Sequence, residues 1–168
     1  MRTDLITIDS ILLEHTAIKY CIEALRTAVA EQATFLFESE NNWDNTHLKQ
    51  LKDNHIRLVE SVQAFHDKLE RHCFHEEKDL LPMLGKLVAD VNVIEHQEIM
   101  NQIERAHNLL NEAKLLGDLK PYELMAETYN VERTVEKVCR VVESHEANET
   151  NLFAQMRTGL QADQEEHL

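Results

Sequence analysis

The chain has 168 residues, the length of one ordinary domain, and only 3 Gly and 2 Pro. An all-β fold or a doubly wound α/β fold needs far more turn residues and Gly-rich loops, and neither is available here. With 17 basic against 31 acidic residues the net charge is −14, a field that repels nucleic acid and anionic membranes.

What remains is an all-α domain spanning 1–168, and its few breakers divide it into four helices. Polar residues from Asn41 to Thr46 form a loop rich in N-cap residues. Pro82 ends or kinks the segment before it, and Gly117 with Pro121 marks a stop and a restart. The resulting predicted helices cover 9–38, 45–83, 88–115 and 121–157. Each carries an apolar stripe at alternating spacings of three and four. Helix 1 shows Ile8, Leu12, Ile18, Ile22, Leu25 and Val29. Helix 2 shows Leu48, Leu51, Leu58, Val62, Phe65 and Leu69. Helix 3 shows Ile99, Ile103, Ala106 and Leu110, and helix 4 shows Val131, Val135, Val138, Val142, Leu152 and Met156. Four amphipathic helices with short connections make an up-down-up-down antiparallel four-helix bundle.

The stripes also contain polar residues. His15, His72, His96 and His145 lie in them, one per helix, and Glu76 and Glu149 each follow a histidine by four residues. Buried carboxylates and imidazoles are costly without partners. In alternating helix directions the four histidines fall in one band near the same end of the bundle, and each His-x-x-x-Glu pair adds an acid about 6 Å further along the same face. Six converging groups of this kind make a metal site. Calcium and magnesium call for oxygen ligands, and one tetrahedral zinc leaves ligands spare. Mixed imidazole and carboxylate suits a carboxylate-bridged pair of first-row metals, with iron the first choice, manganese the second, and a zinc-bound or metal-free interaction module the structural alternative.

The halves repeat one another. Leu13-Glu14-His15 parallels Ile94-Glu95-His96, and the stretch from His72 to Leu81 parallels that from His145 to Phe153. The separations differ, 57 residues from His15 to His72 and 49 from His96 to His145, and the polar loop near Trp43 accounts for the extra length. A ferritin-like arrangement is a poor match, because only Glu104 and His107 supply Glu-x-x-His.

These motifs, Glu14-His15, the stretch from Arg71 to Pro82, Glu95-His96 and His145 to Phe153, resemble the hemerythrin-like domain, also called the HHE cation-binding domain, over nearly the whole chain. The resemblance implies a non-haem, oxo- or hydroxo-bridged di-iron centre. Carried over position by position, His15, His72, His96 and His145 are its iron ligands, and Glu76 and Glu149 its bridging carboxylates. Oxygen-carrying members have a second histidine on helix 3, four residues after the first, where this chain has Met100. An iron with an open position points away from reversible oxygen carriage. It points toward binding or sensing of oxygen, nitric oxide or a peroxide-level species. The enzymatic alternative is peroxidase-like or catalase-like turnover, or repair of damaged iron–sulfur centres, although no cysteine precedes His15.

The remaining histidines are read apart from this centre. His55 lies about 25 Å from His72 along its helix and is expected at the bundle end. His47, His66, His75, His107 and His167 fall off the stripes and are expected in solvent, with His75 near enough to support a ligand. Cys73 points away from the ligand face, and Cys21 and Cys139 are expected in the core. Tyr20 and Tyr129 are expected to pack. The odd cysteine count, the absence of an 18-residue apolar run and the absence of a signal sequence predict a cytoplasmic protein with no membrane partner.

Overall fold

A computed structural model describes residues 2–39, 45–112 and 121–165, and among them no strand occurs. Four long helices carry the chain: α1, Arg2–Ser39; α2, Asn45–His75; α3, Lys86–Glu112; and α4, Pro121–Glu165. They pack as a four-helix bundle in which α1 and α3 each lie against both α2 and α4. None of the helices is long and apolar enough to cross a membrane.

The boundaries differ from the sequence expectation in instructive places. α1 starts seven residues earlier than predicted, because nothing among Arg2 to Ile8 breaks a helix and Asp4 sits in the first turn, where its charge favours the helix dipole. α4 runs eight residues further, through Gly159, where an added Cβ would meet nothing within 4 Å. One glycine costs about 1 kcal/mol in a helix interior, too little to end a helix flanked by Gln, Ala and Glu. Where these two extensions begin, α1 and α4 lie side by side, with Arg157 Nε 3.4 Å from Asp9 Oδ1. After His75 the chain stays coiled but changes pitch. Residues Glu76–Leu80 form a π-helical turn, and Leu81–Met83 a 3₁₀ turn that seats Pro82 near its start. The predicted loop near Trp43 and the predicted helix stop at Gly117 lie outside the described residues.

The apolar stripes meet in two clusters. The larger takes in Ile18, Ile22, Leu25, Leu58, Val62, Phe65, Leu69, Ile99, Ile103, Val138 and Val142 among others. The smaller joins Ile8, Ile11, Leu80 and Phe153. Along α1, α2 and α4 the polar stripe residues fall between these clusters, so the site has an apolar block on one side and an apolar plug on the other. An ion-paired clamp on the outside ties α1 to α4: Arg26 donates to Glu136 at 2.9 Å and to Glu143 at 2.6 Å. Half-exposed pairs of this kind stabilise by about 1 kcal/mol or less.

Candidate metal centre

All six polar stripe residues meet in the bundle interior. His15, His72, Glu76, His96, His145 and Glu149 are each between 0% and 6% exposed. Helical spacing explains how: Glu76 follows His72 by one turn, Glu149 follows His145 by one turn, and the side chains of each pair lie on one face. The ligand-capable atoms form two overlapping groups of four, His15, His72, Glu76 and Glu149, and Glu76, His96, His145 and Glu149. Within each group every such atom lies within 4.8 Å of the others.

The two acids are shared oxygen by oxygen. Glu76 turns Oε1 toward His15 Nε2 at 3.3 Å and His72 Nε2 at 3.4 Å, and turns Oε2 toward His96 Nε2 at 3.1 Å. Glu149 turns Oε2 toward His15 Nε2 at 3.5 Å, and Oε1 toward His145 Nε2 at 3.2 Å and His96 Nε2 at 3.8 Å. Each carboxylate therefore offers one oxygen to each half of the site. The halves also match in ring packing: His15 and His72 meet edge to face with centroids 4.8 Å apart, and His96 and His145 do so at 4.9 Å.

The outward ring nitrogens are all occupied. His72 Nδ1 donates to Glu14 Oε2 at 3.0 Å, His96 Nδ1 to Glu77 Oε1 at 2.9 Å, and His145 Nδ1 to Glu95 Oε2 at 2.8 Å. His15 Nδ1 lies 3.1 Å from the Thr150 hydroxyl. A proton held on Nδ1 leaves Nε2 as the inward-facing donor atom, the arrangement by which carboxylates orient and strengthen histidine ligands. Each acceptor comes from the helix before the histidine it holds, counting α4 as preceding α1, and Glu77 from the π turn that continues α2.

Among the inward atoms only His15 Nε2 and Glu76 Oε1 meet in hydrogen-bonding geometry, at 3.3 Å. His72 Nε2, His96 Nε2, His145 Nε2, Glu76 Oε2 and both Glu149 oxygens are buried without an aligned hydrogen-bond partner. A buried polar atom left unpaired costs about 1–3 kcal/mol, so six around one point form a donor set that fits cations. The electrostatics agree. Burial opposes a charge on His15, but the facing Glu149 and Glu76 carboxylates outweigh it and raise the imidazole to about 9. His96 is likewise raised to about 10 against burial by Glu149, Glu76 and Glu77. Burial pushes the Glu76 carboxyl up, yet His15 and His96 hold it well below the usual carboxylate range. His72 is lowered, because burial outweighs its acidic neighbours. In the metal-free protein, protons on His15 and His96 thus supply positive charge between the two acids.

Several residues fall elsewhere than the sequence suggests. Glu146, an acid among many in an acidic chain, is 1% exposed with both oxygens unpaired. Burial raises its carboxyl to about 7 despite the nearby His15 and Lys19. Its position three residues before Glu149 and four after Val142 is the signal that marks it as a stripe residue. Met100 is partly buried and packs against the larger apolar cluster. Tyr20 and Tyr129, expected to pack, are 74% and 62% exposed. They sit on the outer faces of α1 and α4. Cys139 is buried as expected, Cys21 only partly, and Cys73 is buried. Burial and the nearby Glu76 raise the Cys73 thiol, so it stays protonated. His55 donates from Nε2 to the Leu110 carbonyl at 3.0 Å, close to the end of α3. His75 donates to Glu14 Oε1 at 3.0 Å and so braces the acid that holds His72. His66 meets Asp67, and His107 accepts from Asn111. His47 stacks on Phe35 at 5.9 Å rather than standing in solvent, and His167 lies outside the described residues. The chain matches no family model, no curated protein and no solved structure.

Proposed function

We propose that the chain is a hemerythrin-like, HHE-type domain, an up-down-up-down antiparallel bundle. In this reading it binds two non-haem iron ions and, at them, oxygen, nitric oxide or a peroxide-level species. The cross-helix pairs support that topology: Asp9 with Arg157 and Arg26 with Glu136 run in reverse order on α1 and α4, as do His55 with Leu110 and Glu77 with His96 on the neighbouring pair. The observation that carries the metal reading is the division of Glu76 and Glu149, each giving one oxygen to either pair of histidines.

His15 and His72 would hold one ion, His96 and His145 the other, with Glu76 and Glu149 spanning both. Two imidazoles and two carboxylate oxygens per ion favour iron, with manganese next and zinc as the redox-silent case. Iron at this place supplies redox chemistry and affinity for small diatomic or peroxide ligands. The protein's own contribution is positional. Glu14, Glu77 and Glu95 fix the tautomers of three ligands, and Ile18, Leu69, Ile99 and Val142 form a dry wall that limits water. A cytoplasmic setting fits the three unpaired thiols.

An enzymatic reading rests on Glu146. Its buried carboxyl, raised to about 7 by burial, is suited to hold and release a proton beside His15 in peroxide turnover.

The test is elemental analysis with an absorption spectrum of protein loaded anaerobically with ferrous iron and then exposed to air. The expected result is two irons per chain and near-ultraviolet charge-transfer bands. Glu76→Gln and Glu149→Gln should each lose at least one ion while remaining helical by circular dichroism. A colourless protein with one zinc, or full metal content in both variants, overturns the proposal. Glu146→Gln that keeps both irons but loses peroxide consumption selects the enzyme.

A further inference from the structure

One surface cavity lies beside His72 and another beside His145, at matching positions of the repeat. One, of about 240 Å³, is lined by Glu14, Ile18, Lys68, Arg71, His72 and His75. Its counterpart, of about 230 Å³, has Glu95, Ile99 and His145 at the positions matching Glu14, Ile18 and His72. The remaining positions do not match. Where the first cavity has Lys68, Arg71 and His75, the second has Val141, Ser144 and Asn148, and it adds Glu98.

The basic residues lie at spacings of three and four, on one face of α2. Neither Lys68 nor Arg71 forms an ion pair with any described residue, and Arg71 spends only its Nε, on the Asp67 carbonyl at 3.1 Å. The acid lining the cavity, Glu14, already accepts from His72 and His75, and Asp67, one turn before Arg71, accepts from Gln63 and His66. Two unpaired cations around a concave surface, one of them a guanidinium with its terminal nitrogens free, match the geometry of a tetrahedral oxyanion. The volume is below that of pockets for drug-sized ligands, which suits a small ion or a single phosphoryl group.

We propose that this cavity binds a small oxyanion of the phosphate class and that Glu14 couples it to His72. The coupling rests on the metal reading above, whereas the binding does not. An anion between Lys68 and Arg71 offsets their pull on the Glu14 carboxylate. Glu14 then accepts more strongly from His72 Nδ1 and makes Nε2 a better donor to the centre.

Inorganic phosphate and adenosine monophosphate are titrated calorimetrically into metal-free protein and into iron-loaded protein. Binding to both forms is expected, with the affinity falling at least tenfold in Arg71→Glu and in Lys68→Glu. Lys137→Glu, an exposed change of equal charge on α4, should alter it less than twofold. Tighter binding of the nucleotide than of free phosphate identifies a phosphoryl group on a larger molecule as the source, and the reverse identifies the free ion. In iron-loaded protein phosphate should shift the charge-transfer bands, and Arg71→Glu should abolish the shift. Binding that needs iron and survives Arg71→Glu places the anion on the metal and overturns the proposal, as does equal loss in Lys137→Glu. Failure to load iron refutes the metal reading, and the metal-free titration still decides the cavity.

Discussion

Loading the centre should expel protons, and the structure sets how many. In the metal-free protein His15 is raised to about 9 and His96 to about 10 by the carboxylates they face, whereas His72 is held below its ordinary value by burial. At pH 7 the first two carry protons that a metal must displace. They lie about two and three pH units above ambient, so at about 1.4 kcal/mol per unit stripping both costs roughly 7 kcal/mol. The overall formation constant of the two-ion centre therefore climbs by about two powers of ten per pH unit from pH 7 to 9, and by about one from 9 to 10. The assay is anaerobic calorimetry with ferrous ion in buffers of differing ionisation enthalpy, which counts protons directly. About two per centre at pH 7 is the expected minimum, because ionisation of a bound water only adds to it. A count below one refutes the assignment of those protons to His15 and His96.

The same groups give the metal-free protein an acid-side stability maximum. The raised His15 and His96 contribute stability that is complete below 6.5 and lost as pH rises through 9 to 10. The depressed Glu76 contributes stability that is present above 4.5 and lost on further acidification. Melting temperature without metal should peak between these limits, and a peak above pH 8 counts against the scheme. Glu77→Ala and Glu95→Ala each remove the acceptor on a ligand's Nδ1 and should weaken metal affinity about 10- to 100-fold, measured by chelator competition; unchanged affinity in both denies them an orienting role. Phe153, fully buried with its ring 6.0 Å from His15, should cost about 3–5 kcal/mol on truncation to Ala, read by urea denaturation. A loss under 1 kcal/mol means the apolar plug is not closely packed.

The sequence carried the site more sharply than it carried the helix ends. Burial of an ionisable residue is written in periodicity, so His72, Glu76, His145 and Glu149 could be read from their place among Leu69, Val142 and their neighbours. Ends are harder, because a helix stops only where something stops it. Gly159 and the first residues of α1 lack that force, and both helices overrun the site. The two overruns lie at the same end, beside the Asp9–Arg157 pair. The outer acceptors escaped for another reason. Glu14, Glu77, Glu95 and Thr150 each sit one residue from a stripe residue, about 100° around the helix, where an acid reads as solvated surface. Only a neighbouring helix turns that angle into a contact, and helix pairing is not a property of one stripe. Glu146 was hidden by the same habit, an acid in an acidic chain, although its spacing from Val142 and Glu149 is that of the core.

The four outer contacts close on themselves: α1 grips α2, the turn after α2 grips α3, α3 grips α4, and α4 grips α1. Such a hoop shares strain around its whole circumference, and it yields first at its softest clasp. Three clasps use a carboxylate and the fourth uses the Thr150 hydroxyl, a neutral acceptor whose hydrogen bond has about half the strength. The clasp at the seam between α4 and α1 is therefore the weakest of the four; the Arg26 pairs with Glu136 and Glu143 brace that seam from outside, and His15 keeps a second hold through Nε2 on Glu76 Oε1 at 3.3 Å.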